Sequence, residues 1–264
     1  MRSLTPEVAA SQSPAMAGPE IVHASHSPAT AGSETVDASH SPATAGSETV
    51  DASHSPATAG SETEALSAQE VLARALADYH PRMALACSFQ KEETVLVHML
   101  LQIVPDARVF TIDTGVLFPE TYSFWRRLEQ RTGVKVEVVD AVSGHGRPWN
   151  AARCCGERKV AALESALAGL DAWVTGLRRQ QSPTRAAAPK LGWDERRGLW
   201  KVSPLADWTD EQVWDYIVEH DLPYNPLHDR GYASIGCAPC TLPGAGREGR
   251  WAGQDKTECG LHGE

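Results

Sequence analysis

Apolar positions along this 264-residue chain recur with two periods, and each change of period marks an element. Leu66, Val71, Leu72, Ala75 and Leu76 fall on one side of a 3.6-residue repeat, which predicts a helix over 67–79. The short apolar run Met83–Cys87 predicts a buried strand. Helices follow over Glu92–Leu101, over Pro119–Arg131 with proline at its first position, and over Cys155–Leu167. Strands are expected at Arg108–Ile112, Val134–Val139, Ala172–Thr175 and Trp200–Val202. Thr209 and Gln212 form a capping box that opens a helix to His220. Strands alternating with helices predict an α/β fold, a mostly parallel twisted sheet with helices on both faces. Such sheets bind ligands beyond the carboxyl ends of their strands. Ser88–Glu92, Asp113–Gly115 and Gly176–Arg185 each follow a strand and so fall on that edge.

The pattern fails over residues 1–64. That stretch has no Cys, Trp, Tyr, Phe or Lys and a single leucine, Leu4. Ser-Pro recurs every 14 residues, at Ser13, Ser27, Ser41 and Ser55, and the later copies read HSPATAGSETVDAS. A unit so poor in apolar residues has no face to stack as a solenoid. It cannot bury enough surface to offset the entropy of ordering, so a disordered tail is expected. The tail also carries most of the net charge of −10, through eight acids against Arg2. The remaining 200 residues hold 23 basic and 26 acidic residues, a near balance that argues against a nucleic-acid surface. No apolar run approaches the ~20 residues needed to cross a bilayer, and the N-terminus lacks the features of a leader. The cytoplasm is the expected compartment. There thiols stay reduced, so the six cysteines point to metal binding or catalysis more than to structural disulfides.

Four of them form two pairs, Cys154-Cys155 and Cys237-Ala-Pro-Cys240, about 80 residues apart. Two thiolate pairs can close one metal site. An adjacent pair suits the separate corners of a cubane iron–sulfur cluster better than one zinc ion; zinc and a redox disulfide remain the alternatives. Cys87 ends an apolar strand and reads as a small buried hydrophobe. Cys259 stands close to the end of the chain. It is flanked by Arg250, Lys256 and His262, a setting that can hold a thiolate and deliver it to a substrate. Arginines at 178, 179, 185, 247 and 250 suit phosphate or sulfate oxygens, although each alone could belong to a solvated basic face.

Over almost all of residues 65–264 the chain resembles the assimilatory phosphosulfate reductases. The resemblance is carried by Ser88-Phe-Gln90, Ile112-Asp-Thr-Gly115, Cys154-Cys155-Gly-Glu-Arg158-Lys159 and Thr175-Gly-Leu-Arg-Arg-Gln-Gln-Ser-Pro-Thr-Arg185. It continues through Pro204-Leu-Ala-Asp-Trp208, Leu222-Pro-Tyr-Asn-Pro-Leu-His228, Gly231–Thr241 and Glu258-Cys-Gly-Leu-His262. It implies the fold of the adenine nucleotide alpha-hydrolases, in three parts: a tail over 1–64, a reductase domain over 65–243, and a mobile segment over 244–264 carrying the catalytic cysteine. It also implies one 4Fe–4S cluster on Cys154, Cys155, Cys237 and Cys240. The full cysteine set implies adenylyl sulfate (APS) as substrate rather than its 3′-phosphorylated relative (PAPS), reduced to sulfite and AMP through an S-sulfonate on Cys259. The implied electron donor is thioredoxin or a glutaredoxin-like dithiol, and the pathway is sulfate assimilation toward cysteine. Lys159, Arg185, Arg247, Arg250 and His262 would neutralise the substrate's anionic groups. Ser88, Ile112 and Gly176 would contact the nucleotide. The loop Ser-Phe-Gln-Lys-Glu-Glu lacks the glycines that let backbone amides reach a pyrophosphate, which argues against an ATP pyrophosphatase. A PAPS reductase and a non-catalytic iron–sulfur or zinc protein remain the rival readings, and a homo-oligomer is left open.

Overall fold

A computed structural model describes residues 56–142, 157–251, 258 and 261. Its helices are α1 (Pro56–Thr63), α2 (Ala68–Tyr79), α3 (Lys91–Ile103), α4 (Pro119–Thr132), α5 (Lys159–Leu167) and α6 (Asp210–Glu219). Its strands are β1 (Met83–Ala86), β2 (Arg108–Asp113), β3 (Val136–Asp140), β4 (Ala172–Val174), β5 (Leu191–Asp194) and β6 (Leu199–Val202). The six strands form one sheet in the order β3-β2-β1-β4-β6-β5. All neighbours are parallel except β5 and β6. The expected α/β fold is therefore the one observed.

Strand residues alternate between two cores, as a pleated sheet covered on both faces requires. Leu85, Val109, Val174 and Val202 face a large cluster with Leu72, Leu96, Phe124 and Val213 from α2, α3, α4 and α6. Ala84, Phe110, Trp173 and Leu199 face the other way, against Leu163 and Leu167 of α5. Helix boundaries follow local chemistry. Ser67 caps α2: its hydroxyl accepts from the Glu70 amide, and its own amide donates to the Glu70 carboxylate at 2.7 Å. The capping box of α6 is formed, with the Thr209 amide donating to Gln212 Oε1 at 2.8 Å. Pro119 opens α4, and Gly133 ends it in the left-handed conformation at φ 77°.

Three features depart from expectation. Within the stretch expected to be tail, Pro56–Thr63 is helical, and Thr63 is buried. Strand β5 was not expected. It pairs antiparallel with β6 as an edge hairpin, held by the Trp193–Trp200 ring contact at 5.3 Å and the Gly198 amide on Asp194. Helix α3 begins at Lys91, and its first three residues, Lys91, Glu92 and Glu93, are buried despite their charges.

Chain order sets the functional edge. The chain leaves β1 toward β2 and β3, then returns to its other side at β4. The switch point lies between β1 and β4, whose carboxyl ends lead to Ser88 and Gly176. On the face opposite the large cluster, Leu163 is fully buried at 0 % exposure. Leu163→Ala is expected to destabilise the chain by about 2–5 kcal/mol, read from the chemical-denaturation midpoint at unchanged slope.

Candidate active site

A cavity opens at the switch point, and seven of the sequence-selected residues line it: Ser88, Ile112, Lys159, Gly176, Arg185, Arg247 and Arg250. Cys237 is also in its wall. Cys154, Cys155, Cys259 and His262 lie outside the described residues.

Gly176 follows β4 and passes tightly over the start of α3. A Cβ there would meet Glu93 Oε1 at 2.6 Å and Glu92 Cβ at 2.8 Å, so only glycine fits. Two residues on, buried Arg178 donates through Nε and Nη2 to Glu92 at 3.0 and 2.8 Å and through Nη2 to Asp210 at 2.7 Å. Its Nη1 meets Gln180 and the Trp208 carbonyl. Lys91 adds an ion pair to Asp210 at 2.6 Å.

Before α3, Phe89 takes the left-handed conformation at φ 60° and is buried, stacked on Trp125. The left-handed turn is therefore made by a packed ring and not by glycine, at a backbone cost of order 1 kcal/mol. Glu93 satisfies the helix entry, accepting from the Gln90 amide and the Ser88 hydroxyl, each at 3.1 Å. Burial first, and then the charge of Glu92, push the Glu93 carboxyl up to about 7. This helix N-terminus already carries its own acid, unlike one built to cradle a pyrophosphate. The Gln90 side chain reaches across to accept from the Ile235 amide at 2.8 Å, tying this loop to the segment that leads into Cys237.

Cys237 and Cys240 are both buried at 5 % exposure, at the two ends of one short 3₁₀ turn. The Thr114 hydroxyl lies 3.1 Å from Cys237 Sγ. Within the expected C-terminal segment, residues 244–251 fold back onto this turn. The Trp251 amide donates to the Cys240 carbonyl at 2.8 Å, and the Leu242 amide to Gly249 at 2.8 Å. A Cβ on Gly249 would meet the Leu242 carbonyl oxygen at 1.9 Å, so the return needs glycine. The fold-back carries Arg247 and Arg250 to the cavity, their guanidiniums 5.3 and 4.6 Å from the Trp251 ring. Arg250 spends Nη1 on Ser234 and the Ile235 carbonyl. Arg185 is buried and faces Glu258, as does Arg247.

Cys87 is buried as expected, and burial raises its thiol pKa, so it stays protonated. Sequence reasoning missed Glu93 and Gln90 of this wall, and Glu258 and Lys201 outside it. Glu93 and Gln90 stood inside the noted Ser-Phe-Gln-Lys-Glu-Glu loop, and Glu258 inside the terminal motif. Lys201 carried no signal; burial lowers its amine to about 8, and it lies 5.4 Å from the Trp173 ring.

The phosphoadenosine phosphosulfate reductase domain matches residues 82–243, which takes in the whole sheet and both cavity loops. The chain belongs to this family. Among its relatives, the reductase is 45% identical to a phosphoadenosine 5′-phosphosulfate reductase of Gloeobacter violaceus over 218 residues, covering 75% of this chain and 90% of the relative. It is also 45% identical to an adenosine 5′-phosphosulfate reductase of Salinibacter ruber over 195 residues, 68% of this chain and 77% of that one. A crystal structure of a Candida auris phosphoadenylyl-sulfate reductase in complex with phosphate superposes with a TM-score of 0.64 at 27% identity, covering 75% of the reductase and 100% of the other chain. An FMN adenylyltransferase of Candida glabrata, 15% identical with a TM-score of 0.54, shares the fold alone; it covers 74% of this chain and 67% of its own.

Two outcomes test this wall. Glu92→Gln leaves the Arg178 charge, 4 % exposed, short of its main partner. It should cost about 3 kcal/mol, the low end for a broken buried pair, because Asp210 still faces that charge. Glu93 binds its proton more tightly folded than unfolded, so its contribution to stability is complete below about pH 4.5 and lost as pH rises through about 7. Glu93→Gln should flatten that fall in a denaturation series over the same range.

Proposed function

We propose that this reductase converts adenylyl sulfate to sulfite and AMP, using Cys259 as nucleophile and a dithiol protein such as thioredoxin as electron donor. The observation that carries the reading is one cavity at the switch point of an adenine-nucleotide fold. Gly176 and Ser88 line its strand end, and Lys159, Arg185, Arg247 and Arg250 stand among its other lining residues. The names of the adenosine 5′-phosphosulfate reductase relatives support it.

The chemistry balances with thiols alone. The Cys259 thiolate attacks the sulfate sulfur, the bond from sulfur to the phosphate-side oxygen breaks, and AMP leaves. Cys259 then carries an S-sulfonate. A donor thiolate attacks Cys259 Sγ, a disulfide forms, and sulfite departs with the electron pair. The donor's second thiol resolves the mixed disulfide and frees Cys259, so the dithiol supplies both electrons. A thiolate and a phosphosulfate repel as they meet, and the arginines and Lys159 offset that charge.

Cys154, Cys155, Cys237 and Cys240 are the donors we assign to one 4Fe–4S cluster. Two of them fit such a site: Cys237 and Cys240 are buried on one turn, Cys237 in the cavity wall, and a hydroxyl hydrogen bonds to the Cys237 sulfur. When bound, the cluster would set the local electrostatic field beside Lys159, which opens the helix that follows Cys155. Among the described residues no helix is long and apolar enough to cross a membrane, and we place the reaction in the cytoplasm. PAPS is the second reading for the substrate, favoured by the name of the Gloeobacter relative.

Pre-reduced protein mixed with APS, with no dithiol present, should gain about 80 Da on the Cys259 peptide, sulfur trioxide replacing a proton. Consumption of APS without that adduct sinks the reading; turnover of PAPS in preference to APS replaces the substrate. Anaerobically purified protein should be brown, and Cys240→Ser should lose iron together with the colour.

A further inference from the structure

Glu258 is the one described residue that directly precedes Cys259, and its carboxylate is encircled by donors. Oε1 accepts from Arg185 Nε at 2.9 Å, Ser182 Oγ at 3.2 Å and Thr184 Oγ1 at 3.3 Å. Oε2 accepts from Arg185 Nη2 at 2.8 Å and Arg247 Nη2 at 2.9 Å. The two arginine side chains are only 8 % and 14 % exposed. Burial pushes the Glu258 carboxyl up, but the hydrogen bonds and charge of Arg185, with Arg247, outweigh it and hold the group ionised below the usual carboxylate range. Two guanidinium forks and two hydroxyls around one planar anion are the donor set that phosphate or sulfate oxygens would also take. Leu261 supplies a second anchor: it packs on the cluster of Phe110 and Trp173 and accepts from Arg197 Nη2 at 3.5 Å. In the sequence, Cys259 stands between these two residues.

We propose that Glu258 is a positioning residue that fills the oxyanion site of Arg185 and Arg247 in the empty enzyme and is displaced from it by the phosphosulfate end of the nucleotide. The proposal rests on the adenylyl-sulfate reading above. Carboxylate and substrate oxyanion need the same N–H groups, so they cannot occupy the site together. Substrate affinity is therefore reduced by the fraction of molecules in which Glu258 is seated. The same exchange frees the residue next to Cys259 at the moment the electrophile arrives.

The test compares APS and adenosine binding to Cys259→Ser protein, which cannot turn APS over, with and without Glu258→Gln. The amide keeps the size and removes the charge. It should tighten APS about tenfold and leave adenosine, which carries no anion, unchanged. Glu258→Ala should move APS in the same direction, since no amide is left to refill the arginines. APS affinity that is unchanged or weaker in both variants, with adenosine binding intact, overturns the proposal. If neither ligand binds even with Glu258 present, the nucleotide reading fails and this one fails with it.

Discussion

The ion pair between Arg178 and Glu92 is the constraint on which the site depends. Their side chains are 4 % and 6 % exposed, so both charges have left water. That desolvation is offset only if every donor is used, and here every nitrogen of the guanidinium has an acceptor: Glu92, Asp210, Gln180 or the Trp208 carbonyl. One side chain thereby joins the loop after β4 to the start of α3 and the start of α6. Gly176 is squeezed against Glu92 and Glu93 as a result, and the floor of the cavity is set by contacts that leave no room for a methyl group.

The cavity built on that floor is electrically graded. At the strand end, Glu93 holds its proton to about pH 7 because burial and Glu92 disfavour a second negative charge there. Away from it, Arg185 and Arg247 are buried deeply enough to need an anion, and in this chain they have one in Glu258. On the proposed reading, the nucleoside meets the near-neutral end and the phosphosulfate the cationic end. A reversed ligand would set its anionic end against the buried carboxyls of Glu92 and Glu93 and leave the arginines facing an uncharged nucleoside, so the gradient fixes orientation as well as affinity.

Most of the frame was legible in the sequence because burial there is simple. Met83–Ala86, Arg108–Asp113 and Ala172–Val174 are parallel strands covered on both faces, and they read as short apolar runs. Strand β5 was not legible, since Leu-Gly-Trp-Asp is too short to show a period and owes its place to Trp200 across the hairpin. Lys91-Glu92-Glu93 looks like a solvated helix start; it is buried because Asp210 and Arg178 arrive from elsewhere in the chain, which no local pattern encodes. Among the site residues, motif matching found Ser88, Gly176 and the arginines. It passed over Glu258 because the neighbouring sulfur had the more obvious chemistry. An acid opposite buried arginines becomes visible only when Arg185 and Arg247, which precede β5 and follow β6 in the chain, are brought together.

The turn of Cys237 and Cys240 and the arginines of residues 247–250 form one unit. The Trp251 amide closes on Cys240, the Thr241 hydroxyl on the Cys237 carbonyl, and the Leu242 amide on Gly249, where a side chain has no space. Trp251, 2 % exposed, carries Arg247 and Arg250 over its ring. Any group held by the two cysteines therefore stiffens the segment that presents Arg247 to Glu258. This gives the cysteine pair a mechanical route to the proposed oxyanion site. A cluster in that position can matter to turnover by ordering arginines even if it passes no electrons.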